Sequence, residues 1–205
     1  MHQPDIYLIR HGESRANVEG RFSSLPPGPG LTARGRRQAL SAAAWLGALA
    51  APPARIIASP LLRARQTARP LARALALPIE ISPELRETEL GAWDGQLIRD
   101  LAASPAMAAW RTDPDACPPP GGETFQRMAD RILGLIRREA SAHVRGPLAV
   151  FSHLDPIVAA CLHLAGLPAS ERDAFFVPCG GIVRIGWDQR DLRFLGVVHS
   201  PPEDL

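Results

Sequence analysis

With 205 residues, 46% of them hydrophobic and 21% charged, and a net charge of +2, the chain sits among ordinary folded domains and far from the composition that leaves chains disordered. All 23 basic residues are arginine, which excludes a P-loop lysine and lysine Schiff-base chemistry. The small net charge argues against a general nucleic-acid partner, yet residues 1–75 hold 11 arginines against 3 acids, enough to line one anion pocket.

Residues 5–9 form a short apolar run that stops at Arg10-His11-Gly12-Glu13, the pattern of a buried strand delivering polar groups at its end. A Pro- and Gly-rich loop follows, then Thr32 caps a helix to about Leu49, ended by Pro52-Pro53. The stretch 40–51 is apolar but too short to span a bilayer. Residues 55–58 read as a second strand, with Ser59-Pro60 as cap and first residue of a helix through about Leu75. Residues 78–90 are predicted extended, and 91–122 form an irregular, cap-like excursion with short helices around 97–110.

A helix with an apolar stripe at Met128, Ile132, Leu135 and Ile136 spans 123–142, and residues 147–151 form a buried strand ending at Ser152-His153. Asp155-Pro156 is expected to cap the next helix, to about Ala165, and strands over 182–187 and 192–198 flank a turn at 188–191. The alternation predicts one domain over 1–205, a three-layer α/β/α sandwich with a mainly parallel central sheet. Cys117, Cys161 and Cys179, odd in number and without a CxxC pair, are expected to be reduced thiols. With no membrane span and no signal-peptide pattern at the N-terminus, a cytoplasmic protein with no membrane partner is expected.

Four blocks carry the chemistry. Leu8-Ile9-Arg10-His11-Gly12-Glu13-Ser14, with Asn17 and Arg21 after it, resembles the signature of the histidine phosphatase superfamily, also called the phosphoglycerate mutase-like family. Ser59 to Ala68, Leu85-Arg86-Glu87 with Gly91 to Gly95, and Phe151-Ser152-His153 are similar to the family's later blocks, in family order. Pro120-Gly121-Gly122-Glu123-Thr124 matches a further motif of many members. The resemblance implies that His11 becomes phosphohistidine and that Arg10, Arg63, His153 and Asn17 form the phosphate pocket.

The residue types suit that role. A neutral imidazole attacks phosphorus well once positioned donors neutralise the phosphate dianion. Arginine forks bind two phosphate oxygens at once and stay charged at any working pH, as Arg10 and Arg63 would. Departure of the substrate oxygen needs a proton, and Glu87, four residues before Gly91 as in the family, is the candidate donor. Arg21 and Leu154 are expected to line the outer pocket, Leu154 narrowing the entrance where many members have a small residue. Asp155 reads first as a helix cap and second as a pocket carboxylate. Trp110-Arg111 reads as substrate contact or as packing.

The expected activity is metal-independent hydrolysis of a small phosphorylated metabolite, with no cofactor and no metal; inorganic phosphate is a further ligand. A cofactor-dependent mutase is the first alternative. Members of that kind carry a longer insertion with paired arginines after the third block, whereas 91–122 contains only Arg99 and Arg111. A non-catalytic phosphate-binding protein is the second.

Overall fold

In the computed structural model, which describes residues 5–142, 146–188 and 191–202, alternate strand residues pack to opposite sides. Ile6, Leu8, Leu148, Val150 and Ile57 enter one core cluster, while Tyr7, Ile9, Ala149, Phe151, Ile56 and Ala58 enter another. Such two-faced burial is what near-continuous apolar strands demand, and it requires helices on both sides of the sheet.

Six strands, β1 (Ile6–Arg10), β2 (Arg55–Ala58), β3 (Ile79–Ile81), β4 (Leu148–Ser152), β5 (Ile182–Trp187) and β6 (Leu192–His199), form one sheet in the order β3-β2-β4-β1-β5-β6. β3, β2, β4 and β1 are mutually parallel, and the β5–β6 hairpin adds on antiparallel to β1. The expected three-layer, mainly parallel sandwich is therefore the observed fold. Helices α2 (Ala33–Gly47) and α3 (Leu62–Leu75) cover one face. The other carries α6 (Phe125–Ser141) and α7 (Leu154–Ala165), joined by Met107 and Trp110 of α5 (Pro105–Thr112). The predicted stripe of α6 is buried whole, and each such large side chain contributes about 1.5–3 kcal/mol.

Local chemistry moved several boundaries. A five-residue helix, α1 (Arg15–Glu19), lies in the expected loop, started by a capping box between Ser14 and Asn17. Only Ile79–Ile81 of the predicted extended segment is strand; Ser82 caps a 3-10 turn at Pro83–Leu85, and Glu87 follows in a loop. α3 begins at Leu62 instead of Pro60, with Leu61 as its N-cap and no side-chain cap bond. α7 begins one residue after His153, so Asp155 and Pro156 lie inside its first turn and are not its cap and first residue. The 91–122 excursion contains α4 (Ile98–Leu101) and α5, the latter capped by Ser104. His2, His143 and two residues of the predicted turn at 188–191 lie outside the described residues. The three cysteines are all unpaired, and no helix among the described residues is long and apolar enough to cross a membrane.

The loop after β1 is held against α2 by a close backbone approach. A Cβ on Gly12 would lie 2.3 Å from the Gly35 carbonyl oxygen, and a Cβ on Gly35 would lie 2.0 Å from that of Glu13. Glycine within a helix ordinarily costs about 1 kcal/mol against alanine. Here the sign reverses: Gly35→Ala is expected to destabilise the protein by about 1–3 kcal/mol, as overpacking does. A denaturant midpoint equal to or above that of the parent would contradict the close approach.

Candidate active site

β1 and β4 are neighbours in the sheet, yet β1 leads towards α2 on one face and β4 directly into α7 on the other. Ligands of open α/β sheets bind in the crevice outside the strand ends at such a switch point. The crevice is a cavity of about 470 Å³ lined by, among others, Arg10, His11, Arg63, Glu87, Leu154 and Asp155.

His11 is buried at the end of β1, its backbone N–H bonded to Ser152 O at 3.1 Å. Its Nδ1 lies 2.7 Å from Gly12 O, and a carbonyl can only accept, so Nδ1 carries the proton. Nε2 then holds the lone pair, which accepts from Arg63 Nε–H at 3.0 Å. The assignment agrees with the electrostatics: burial, then Arg63 and Arg10, hold the His11 pKa well below the usual histidine range. Thr67 ties this loop to α3, its Oγ1 accepting from Gly12 N–H at 3.0 Å and donating to Arg63 O at 2.7 Å.

Arg63 occupies the first turn of α3, beyond the end of β2, and its side chain is 3% exposed. Nη2 donates to Ser23 O at 2.9 Å and lies 3.4 Å from Glu87 Oε2. Arg10 is anchored by Nη1 donating to Val177 O at 2.6 Å. His153, fully buried, pairs through Nε2 with Ser59 Oγ at 2.8 Å, while its ring stands 5.1 Å from that of His11. Burial first and Arg63 next keep His153 neutral, its pKa well below the ordinary value. Arg10 Nε, Arg63 Nη1 and His153 Nδ1 are all buried without a hydrogen-bond partner. Left unmet, each costs about 1–3 kcal/mol, so the two arginines hold donors in reserve for an acceptor from outside.

His11, Glu87 and His153 offer ligand atoms all within 4.8 Å of one another, a spacing a cation could use. Arg63 already occupies the His11 lone pair and, with Arg10, brings two fixed positive charges into that space. The donor set favours an anion.

Glu87 faces the two histidines, its Oε2 lying 3.6 Å from His153 Nδ1. Its side chain is 17% exposed, and burial, followed by the neighbouring Asp155 charge, raises its pKa above the usual carboxylate range against the pull of Arg63. The loop carrying it is braced from α6. Arg131 donates to the carbonyls of Glu84 at 2.6 Å and Glu87 at 3.3 Å. Its ion pair at 2.6 Å is with buried Glu123 of the Pro-Gly-Gly-Glu block, which also accepts from Glu89 N–H at 2.9 Å.

The remaining expectations resolve individually. Asn17 lines the cavity, but its Oδ1 accepts from Ser14 N–H at 2.9 Å, leaving Nδ2 as the amide's donor. Arg21 reaches the rim and is tied to Gly95 O and Glu19. Leu154 lines the cavity from the first residue of α7. Asp155 lines the cavity, where Thr88 Oγ1 donates to its Oδ2 at 3.3 Å and Arg172 Nη2 to its Oδ1 at 3.2 Å. The excursion supplies a wall through Ile98, Met107, Trp110 and Arg111, whereas Arg99 points to solvent with a side chain 82% exposed.

Ser59, Thr88, Arg131 and Arg172 were not foreseen. Ser59 carried the signal that marks His11 and His153, a polar residue directly after a buried strand, but its Ser-Pro sequence read as a helix cap. For Arg172, distant in sequence from every block, no signal exists.

The profile of the family described as "Histidine phosphatase superfamily (branch 1)" matches residues 6–199. An adenosylcobalamin/alpha-ribazole phosphatase of Escherichia coli is 34% identical over 177 residues, 85% of this chain and 86% of that protein. A glucosyl-3-phosphoglycerate phosphatase of Mycolicibacterium vanbaalenii is 33% identical over 193 residues, 90% of this chain and 82% of that one. Among solved structures, a mycobacterial glucosyl-3-phosphoglycerate phosphatase complexed with VO3 superposes with a TM-score of 0.84 at 28% identity, covering 96% of this chain and all of that one. The match across the chain therefore agrees with the buried histidines and arginines at the strand ends, and the protein belongs to the histidine phosphatase superfamily.

Proposed function

We propose that the protein hydrolyses small phosphomonoesters through a phosphohistidine formed on His11, without a metal ion. The observation that carries this is the His11 Nε2 lone pair, fixed by the Nδ1–H bond to Gly12 O and flanked by the unpartnered buried donors of Arg10 and Arg63, with the unpartnered His153 Nδ1 beside them. A phosphate dianion entering the crevice takes those donors and displaces the Arg63 Nε–H from Nε2.

In the first step the Nε2–P bond forms as the bond from phosphorus to the substrate oxygen breaks, and Glu87 gives its proton to that oxygen. The positive charge developing on the imidazole is stabilised by Gly12 O. In the second step water attacks phosphorus, Glu87 accepts its proton, the N–P bond breaks and inorganic phosphate leaves. The arginines supply the charge neutralisation that a metal ion supplies elsewhere.

Hydrolysis over mutase chemistry is supported by the cavity wall: of the two arginines in 91–122, only Arg111 lines it. Catalysis over passive binding is supported by Glu87, whose raised pKa serves proton transfer. The related proteins act on small phosphorylated metabolites by name, and this chain's substrate is of that class. The site draws on residues from Arg10 to Asp173, which supports a single catalytic domain, and three unpaired cysteines suit a cytoplasmic location.

The test is leaving-group dependence in the presence of a chelator. In kcat/KM, which reads the steps up to phosphohistidine formation and not its later hydrolysis, Glu87→Gln is expected to slow phenyl phosphate by about 10²- to 10⁴-fold and to spare p-nitrophenyl phosphate much more, because a good leaving group needs little protonation. Equal losses on both substrates would place the proton donor elsewhere.

A further inference from the structure

The crevice holds a second carboxylate that these steps leave idle. Asp155, in the first turn of α7, turns towards the loop carrying Glu87. The Thr88 hydroxyl stands between the two acids, 3.3 Å from Asp155 Oδ2 and 3.5 Å from Glu87 Oε1. The other Asp155 oxygen accepts from Arg172 Nη2 at 3.2 Å. Arg172 is itself held in place, its guanidinium 4.3 Å from the ring centre of Trp110 and 4.9 Å from that of Phe125.

We propose that Asp155 is a positioning residue for proton transfer: its carboxylate, across the Thr88 hydroxyl, holds the transferable proton on Glu87, and Arg172 sets how strongly it does so. The inference rests on Glu87 being the proton donor.

The charged groups around Glu87 come from several elements. Arg63 faces it from α3, Arg10 and His11 from the end of β1, His153 and Asp155 from the start of α7. Arg172 reaches Asp155 from the 3-10 segment Ala169–Ala174, and Arg131 of α6 holds the Glu87 carbonyl. Arg63 and Arg10 pull the proton off Glu87; burial and Asp155 keep it on. When substrate binds, its dianion takes up the charge of Arg10 and Arg63. Asp155 keeps Arg172 beside it at 3.2 Å, while the dianion draws on the arginine charges that face Glu87, so the Asp155 charge weighs more in holding the proton on Glu87.

The experiment is the pH profile of kcat for phenyl phosphate in the parent, Asp155→Asn, Arg172→Gln and Glu87→Gln proteins, with vanadate inhibition as a check that the pocket is intact. The alkaline limb reports loss of the Glu87 proton in the substrate complex. Asp155→Asn is expected to move that limb to lower pH, and Arg172→Gln to higher pH, each by about half a unit to one unit. On the alkaline side, Asp155→Asn then loses about three- to ten-fold in kcat. A merely structural role lowers activity in both variants without opposite shifts. Where Asp155→Asn is too unstable to assay, the direction of the Arg172→Gln shift decides. A limb that persists in Glu87→Gln would remove Glu87 as donor and the inference with it. A limb abolished in Glu87→Gln, but unmoved or moved the same way in the other two, would overturn the inference alone.

Discussion

Replacing His11 with alanine is expected to abolish turnover of p-nitrophenyl phosphate, by on the order of 10⁴-fold or more, with or without a chelator. Without the imidazole there is no nucleophile, and the anion pocket of Arg10, Arg63 and His153 is left with nothing to deliver to phosphorus. The pH dependence follows from the direction of the His11 shift. A free histidine loses nucleophilicity below about pH 6.5 as it protonates. Burial with Arg63 and Arg10 alongside holds the His11 pKa well below that, so the neutral form persists as pH falls. The parent's acid limb, once corrected for the ionisation of the substrate phosphate, should therefore lie well below pH 6.5. Turnover retained within tenfold by His11→Ala, or an absolute need for added metal, would refute the phosphohistidine route.

The layered fold was legible because its signals are local and strong. Strands such as 147–151 read as uniform apolar runs, and the α6 stripe repeats at helical spacing. Boundaries failed where a cap residue had another partner. Ser59 follows a strand and precedes a proline, yet its Oγ is engaged by His153 Nε2 and the helix starts later. Asp155 precedes a proline too, but its carboxylate goes to Thr88 and Arg172. Ser59 Oγ still accepts from Leu61 N–H at 3.3 Å, so it serves a local turn and His153 together, whereas the Asp155 carboxylate is given to tertiary partners, as happens at functional sites, where local preference and the final structure part. Arg10, His11, Arg63 and Glu87 meet at the cavity, with His153 against His11 and Glu87, because each lies at or just beyond a strand end, or in the loop that follows one. Sequence spacing could not show Arg172 or Arg131, whose contacts with Asp155 and Glu123 depend on how α6, α7 and the 3-10 segment pack.

Arg63→Lys keeps the charge of the buried cation but not its fork, and is expected to lower kcat/KM for p-nitrophenyl phosphate by about 10²- to 10³-fold. Three nitrogens of Arg63 face three directions: Nε to His11 Nε2 at 3.0 Å, Nη2 to Ser23 O at 2.9 Å, and Nη1 unpartnered. A lysine ammonium is a point charge that cannot hold the Ser23 carbonyl and also offer two parallel donors to a phosphate. Vanadate affinity should fall with kcat/KM, since the lost donors belong to the bound anion. Arg63→Ala separates charge from geometry. Arg63 is the largest charge depressing the His11 pKa, so its removal should move the acid limb of kcat/KM to higher pH, whereas Arg63→Lys should leave that limb nearer its original place. Should lysine restore kcat/KM to within about three-fold of the parent, bidentate recognition would play no part, and Arg63 would act through its charge alone.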